Sequence, residues 1–162
     1  MPYDSIRPGQ IWLDTEGKRI QAHAASVFYE DGTFFWYGEN KERTSPGNGI
    51  LHWGMRCYSS WDLYNWKDEG LMIPPDLENG LSPLHPSAKA ERPHVLKNQR
   101  TGKYVCWLKV IGKDGSQTET VLTADRFMGP YTLVKSGLRP LSMNAGDFDL
   151  VQAEDGKGYY FF

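Results

Sequence analysis

The sequence of 162 residues lacks several features that would place it in a common functional class. It has no excess of basic charge, and a net charge of −2 gives no electrostatic footprint for nucleic acid. No run approaches the ~18 apolar residues of a membrane span. The opening residues MPYDSIRPGQ do not follow the basic-then-apolar plan of a signal peptide. We therefore expect neither nucleic acid nor a membrane as a partner, and the localisation stays unknown.

Short catalytic motifs are also missing. There is no P-loop, no His-Glu-x-x-His, no Cys-x-x-Cys and no Gly-x-Ser-x-Gly. The two cysteines, Cys57 and Cys106, lie inside apparent strands, so two buried thiols are a better interpretation than a disulfide or a metal pair. We expect no metal site from these residues.

Aromatic residues are abundant, at 14% of the chain, and helical periodicity is nearly absent. Aromatic side chains favour strands, and exposed ones form flat platforms for ligands with apolar faces such as sugars. The 17 glycines and 10 prolines are spread along the chain, as expected for many short strands joined by turns. The composition therefore predicts an all-β domain.

A module of an alternating strand, a glycine turn and an aromatic strand occurs three times. Its turn glycines are Gly32, Gly102 and Gly156, and the first two modules continue into further strands with similar endings. A β-sandwich would not require matched endings, whereas β-propeller blades would. The predicted ranges are blade one at about 20–72, a proline- and glycine-rich loop at 73–90, blade two at about 91–142, and the start of blade three at 143–162.

A titratable residue precedes the first strand of each module: His23, Glu91 and Asp147. A polar residue at one strand start would simply meet solvent or cap a turn. A propeller, however, brings all three equivalent positions to the same height beside its axis, which predicts a site there. Carboxylates that share a pocket have pKa values that move apart, and glycosidases use this to keep one as an acid and another charged.

The ordered motifs of the chain resemble glycoside hydrolase family 43, in particular its branch of exo-β-1,3-galactanases and related galactosidases. The resemblance covers about residues 9–162. The segments that show it are GQIWLDTEGKRIQAHAASVFYEDGTFFWYGENK, CYSSWDLYNW, AERPHVLKNQRTGKYVCWLK, ADRFMGPY and GDFDLVQAEDGKGYY.

The resemblance implies a five-bladed β-propeller with its active site in a pocket on the axis. It implies that Glu91 and Asp147 are catalytic, with Asp147 tuning the pKa of the general acid. His23 stands where most members have an Asp base, as is typical of the galactanase branch. The residues expected to bind substrate are His23, Glu39, Gln21, Trp36 and Arg92.

The sequence departs from the family pattern near Asp147, where Ala145-Gly146 replaces the usual Ser-Arg, and after His23, where 24–26 replaces the usual glycines. The resemblance places the general acid on the next blade, beyond Phe162, so about two and a half of five blades are expected here. No cofactor is implied. Some members hold calcium on the axis, but the sequence shows no acidic cage for it.

Three hypotheses follow for the function. In the first, the chain is part of an inverting exo-β-1,3-galactanase that acts on galactan or galacto-oligosaccharides, and it is inactive alone because the acid is missing. In the second, it is a non-catalytic galactan-binding half-propeller that forms a homo-oligomer, since unpaired blade edges invite strand addition. A sugar-binding propeller of another kind is the third, and the ordered motifs favour it least.

Overall fold

The computed structural model describes residues 3–162 and consists almost entirely of β-strands. The strands are β1 (His23–Glu30), β2 (Thr33–Glu39), β3 (Met55–Ser60), β4 (Lys67–Ile73), β5 (Lys89–Lys97), β6 (Tyr104–Ile111), β7 (Gln117–Ala124), β8 (Thr132–Leu138), β9 (Asp149–Gln152) and β10 (Gly158–Phe161). A single 3₁₀ turn, Pro140–Ser142, is the only helical element in the described part of the chain. No helix within residues 3–162 is long and apolar enough to cross a membrane.

These strands form two four-stranded antiparallel sheets and one two-stranded pair. The strand orders are β1-β2-β3-β4, β5-β6-β7-β8 and β10-β9, so strands that are neighbours in the sequence are neighbours in each sheet. The segment 74–88 joins the first two sheets, and β5 begins at Lys89, inside the segment that the sequence predicts as loop. The all-β prediction is confirmed, and the sheets are those of a partial β-propeller.

The first strands of the three sheets lie side by side and run in the same direction. Ser26 Oγ donates to the carbonyl oxygen of Pro93 at 2.8 Å near the starts of β1 and β5, and Lys97 contacts Glu30 near their ends. β5 in turn contacts β9 in the same direction, since Arg92 contacts Asp147 and His94 lies 3.4 Å from Asp149. The starts of these strands are therefore gathered at one end of the molecule.

The main core lies between the first two sheets. Its buried residues include Cys57 and Cys106, which are free thiols as predicted. The ring of Phe127, which follows β7, stacks on Phe28 at 4.9 Å between centroids. Tyr37 is also buried, and its hydroxyl oxygen accepts a hydrogen bond from the backbone N–H of Val95 at 2.9 Å. This bond ties the two sheets together inside the core.

The β9-β10 pair packs on the second sheet through aromatic rings. The centroid of Tyr160 lies 5.2 Å from that of Phe148 and 5.5 Å from that of Trp107. The Tyr160 hydroxyl donates to Oε1 of Glu119, a fully buried residue of β7, at 3.0 Å. These contacts fix the position of Asp147, which immediately precedes Phe148.

A β-bulge occurs at the same place in the first two sheets. In β1 the register shifts between His23 and Ser26, and Ala24 has a φ of 47°. In β5 the shift falls between Glu91 and His94, and the residue after Glu91 has a φ of 55°. A positive φ is unfavourable for residues other than glycine, so its recurrence marks a structural feature that both sheets share.

Candidate sugar-binding site at the starts of the first strands

The bulges place His23 and Glu91 at equivalent positions of their sheets. His23 pairs with Glu39 across β1 and β2, and Glu91 pairs with Lys109 across β5 and β6. Asp147 lies just before β9, against the same end of β5. The structure therefore brings the three titratable positions to one end of three adjacent strands.

The first cluster is centred on Glu39, which is fully buried at the end of β2. Its Oε2 lies 2.8 Å from Nδ1 of His23, and its Oε1 accepts a hydrogen bond from Nζ of Lys41. Burial raises the pKa of Glu39, whereas the hydrogen bonds from Lys41 and His23 act in the opposite direction. The imidazole of His23 remains largely exposed, so Glu39 orients a side chain that can reach a ligand.

The second cluster is centred on Lys109, whose side chain is only 4% exposed. Its Nζ lies 2.8 Å from Oε1 of Glu91 and 2.6 Å from Oδ1 of Asp147. Burial by itself would lower the pKa of Lys109, but its hydrogen bonds to Asp147 and Glu91 outweigh burial and raise that pKa. The residue is therefore a buried ammonium ion between two carboxylates.

Asp147 is also held by Arg92. Nη2 of Arg92 donates to Oδ2 of Asp147 at 2.7 Å, and Nε lies 2.7 Å from Oδ1. The hydrogen bond from Lys109 and the charges of both cations keep the pKa of the Asp147 carboxyl below its usual value. Asp147 is consequently a carboxylate at neutral pH.

A cleft of about 450 Å³ lies beside the first cluster and brings together Gln21, His23 and Trp36. The indole of Trp36 is packed at 4.9 Å from that of Trp12. The backbone N–H of Gln21 donates to the hydroxyl of Tyr58 at 2.8 Å, which fixes the chain at the cleft. The cleft thus combines aromatic surface with polar groups, which is the usual composition of a sugar-binding surface.

The residues expected from sequence fall into two groups. Gln21, His23, Trp36 and Glu39 lie at the first sheet, and Glu91, Arg92 and Asp147 lie where the second sheet meets β9. Within residues 3–162, no three His, Cys, Asp or Glu side chains are grouped so that they could hold a metal ion.

Sequence reasoning missed Lys41 and Lys109. A signal for Lys109 was nonetheless present, because it follows its turn glycine by seven residues, as Glu39 does. Extending the repeat comparison to the ends of the second strands would have aligned Lys109 with Glu39. Lys41 has no comparable repeat signal.

Comparison with known proteins gave matches among solved structures only; no family model and no curated protein sequence matches the chain. An exo-β-1,3-galactanase from Phanerochaete chrysosporium, solved with galactose, is 33% identical over 96% of this chain with a TM-score of 0.84. A GH43 β-1,3-galactosidase is 34% identical over 96% of the chain with a TM-score of 0.81. The chain belongs to glycoside hydrolase family 43.

Other members of family 43 agree with this assignment. An exo-β-1,3-galactanase from Clostridium thermocellum is 27% identical over 96% of the chain, with a TM-score of 0.76. Another structure of the Phanerochaete chrysosporium galactanase contains β-1,3-galactotriose. The chain spans about a third of the length of these relatives, namely 35%, 32% and 34% of the three proteins.

Proposed function

We propose that this chain forms the galactose-binding part of an exo-acting, inverting β-1,3-galactanase site. The observation that supports this most directly is that Glu91 and Asp147 contact one buried ammonium group, while the His23–Glu39 pair occupies the equivalent position of the first sheet. The galactose and β-1,3-galactotriose in structures of a relative support this substrate class. Terminal galactose, galactan and galacto-oligosaccharides are therefore the proposed ligands.

In this proposal the sugar is held by complementary polar and aromatic groups. Glu91 uses Oε1 for Lys109, and no hydrogen bond to its Oε2 is formed within residues 3–162, so that oxygen can accept one from a sugar hydroxyl. His23, oriented by Glu39, supplies a second polar contact. Trp36 supplies an aromatic surface, and the cleft places it near His23. Gln21 lines the same cleft as His23 and Trp36, and Arg92 contacts Asp147.

Asp147 is proposed to tune the acid rather than to be the acid. A general acid must hold a proton at the working pH and must reach the leaving oxygen. Asp147 does not meet the first requirement, because its lowered pKa leaves it without a proton. Glu39 and Glu119 do not meet the second, because both are fully buried. Glu91 is paired with the ammonium group of Lys109. We therefore propose that the acid lies outside these 162 residues and that the chain alone does not hydrolyse glycosides.

The test combines a binding and a turnover measurement on the 162-residue protein. Galactose binding is followed by saturation-transfer NMR and calorimetry, and galactose release from β-1,3-galactobiose by chromatography. We expect binding without release. We also expect Glu91→Gln to weaken binding about tenfold or more, since hydrogen bonds to charged groups contribute about 1.5–3 kcal/mol. The matched control is Glu154→Gln, in the exposed turn between β9 and β10.

The two outcomes test different parts of the proposal. Sustained release of galactose by the purified chain would show that the acid lies within it. Absence of galactose binding by a folded chain would reject the pocket itself.

Exposed apolar residues favour a second function, a galactan-binding half-propeller that dimerises without catalysis. Phe161 and Tyr159 on β10 are 58% and 46% exposed, and Tyr29 on β1 is 59% exposed. In a closed propeller such faces pack against neighbouring blades. Sedimentation equilibrium distinguishes the cases: a monomer of 18.5 kDa at all concentrations rejects this function, and a dimer that binds galactan without cleaving it supports it.

A further inference from the structure

Lys109 is a buried cation within a largely apolar strand. Strand β6 has the sequence YVCWLKVI, in which Leu108 is fully buried and the neighbouring Lys109 side chain is 4% exposed. An unpaired ammonium group in such a place would be strongly unfavourable, because burial removes its hydration. Its position is therefore explained by the carboxylates that surround it.

Among residues 3–162, the charged or titratable groups around this ammonium are Glu91, Asp147, Arg92 and Glu119. Glu91 and Asp147 contact it directly, and Arg92 reaches it through Asp147. Glu119 lies opposite Lys109 in the register of β6 and β7, but its Oε1 accepts a hydrogen bond from a tyrosine hydroxyl instead. The Lys109 ammonium therefore forms its ion pairs with the two carboxylates of the candidate site, Glu91 and Asp147.

We propose that Lys109 is a positioning residue that holds Glu91 and Asp147 in one fixed arrangement for sugar recognition. The inference rests on the proposed galactose site and adds to it a residue from the centre of the second sheet. Lys109 links three parts of the fold, since Glu91 lies on β5, Lys109 on β6 and Asp147 just before β9.

Arg92 does not perform the same task. Within residues 3–162 its only ion-pair partner is Asp147, and its side chain is 36% exposed. Asp147 is 65% exposed in both pairs, so the difference lies in the cations: Lys109 is 4% exposed and also contacts Glu91, whereas solvent screens the charge of Arg92 more strongly. By occupying Oε1 of Glu91, Lys109 also determines which oxygen of that carboxylate faces a ligand.

The decisive variant is Lys109→Met, which removes the charge and is only one atom shorter along the side chain. Carbonyl-detected NMR titration follows the Asp147 carboxyl directly, and we expect its pKa to rise because the hydrogen bond and the charge of Lys109 are lost. Galactose affinity should fall about tenfold. The control is Lys113→Met, in the exposed turn after β6, where the described part of the chain offers Lys113 no ion pair.

The Asp147 titration tests this inference, and galactose binding by the wild-type chain tests the proposed function. If the wild-type chain binds no galactose, the proposed function fails, while the Asp147 titration still decides the role of Lys109. An unchanged Asp147 titration in a folded Lys109→Met protein would overturn the inference.

If Lys109→Met does not fold, hydrogen exchange of the lysine ammonium protons in the wild-type chain tests the same inference. The Lys109 ammonium protons of the wild-type chain should exchange with water more slowly than those of Lys113, because both carboxylates hold them. Asp147→Asn should accelerate that exchange. Equal exchange at the two lysines would contradict the proposal.

Discussion

Replacing Glu119 by glutamine should remove a large part of the pH dependence of stability. Glu119 is fully buried on β7; Oε1 accepts a hydrogen bond from Tyr160, and Oε2 has no hydrogen-bond partner within residues 3–162. Burial raises the pKa of Glu119 from 4.5 to about 8, and the Tyr160 hydrogen bond and the charge of Lys109 oppose this only in part. At neutral pH the folded protein therefore keeps a proton that the unfolded chain releases.

The sign of the effect follows from this difference in bound protons. Between pH 4.5 and about 8 the folded state binds more protons than the unfolded chain, so the free energy of unfolding falls as the pH rises. Each pKa unit corresponds to about 1.36 kcal/mol. Between about pH 5 and about pH 8, ionisation of Glu119 should lower the free energy of unfolding by about 3 kcal/mol.

Urea denaturation at several pH values measures this contribution. We expect Glu119→Gln to show a smaller loss of stability than wild type over that range, by about 3 kcal/mol. Glu154→Gln, an exposed change in the β9-β10 turn, should follow the wild-type curve. If Glu119→Gln retains the wild-type pH slope, the carboxyl is not held protonated by burial and the reasoning is wrong.

Three further changes test how the first two sheets are joined. Tyr37→Phe leaves the buried N–H of Val95 without its acceptor and should lower the free energy of unfolding by about 1–3 kcal/mol in urea titrations; no change would show that another group replaces it. Phe127→Ala empties a buried aromatic position and should cost about 3–5 kcal/mol, whereas Phe127→Leu should cost less. Burial alone would raise the pKa of Glu30, but the hydrogen bonds from Lys97 and Tyr104 outweigh burial and lower that pKa. These hydrogen bonds to the carboxylate therefore stabilise the folded protein, and their contribution is lost as the pH falls through the pKa of Glu30 in the folded state. Glu30→Gln should accordingly be less stable than wild type at neutral pH and should approach it in acid; a constant difference would contradict this.

The sequence predicted the architecture because the repeat is local. Alternating residues, the turn at Gly32 and its counterpart at Gly102 determine the hairpins of the first two sheets. The clustering of His23 with Glu39 and of Glu91 with Asp147 depends on how the sheets pack. Equivalent positions in a repeat could suggest this clustering but could not supply the distances.

The sequence did not predict which charged residues are buried. Lys109 and Glu119 resemble ordinary solvated charges at strand positions, yet both are buried, Glu119 against Tyr160 of β10 and Lys109 against Glu91 and Asp147. Sequence periodicity describes which face a residue lies on. It does not describe what covers that face.

The β-bulge shared by β1 and β5 affects which side chains can be presented at the starts of these strands. In a regular strand, neighbouring side chains point to opposite faces, yet Glu91 and Arg92 both contact the group of charges around Asp147 because the bulge turns the chain between them. In β1 the corresponding residue is Ala24, which extends no further than its methyl group. The two sheets therefore offer the same backbone position with and without a long side chain. We therefore expect that the residue at position 24 can be exchanged while the pairing of β1 with β2 stays the same.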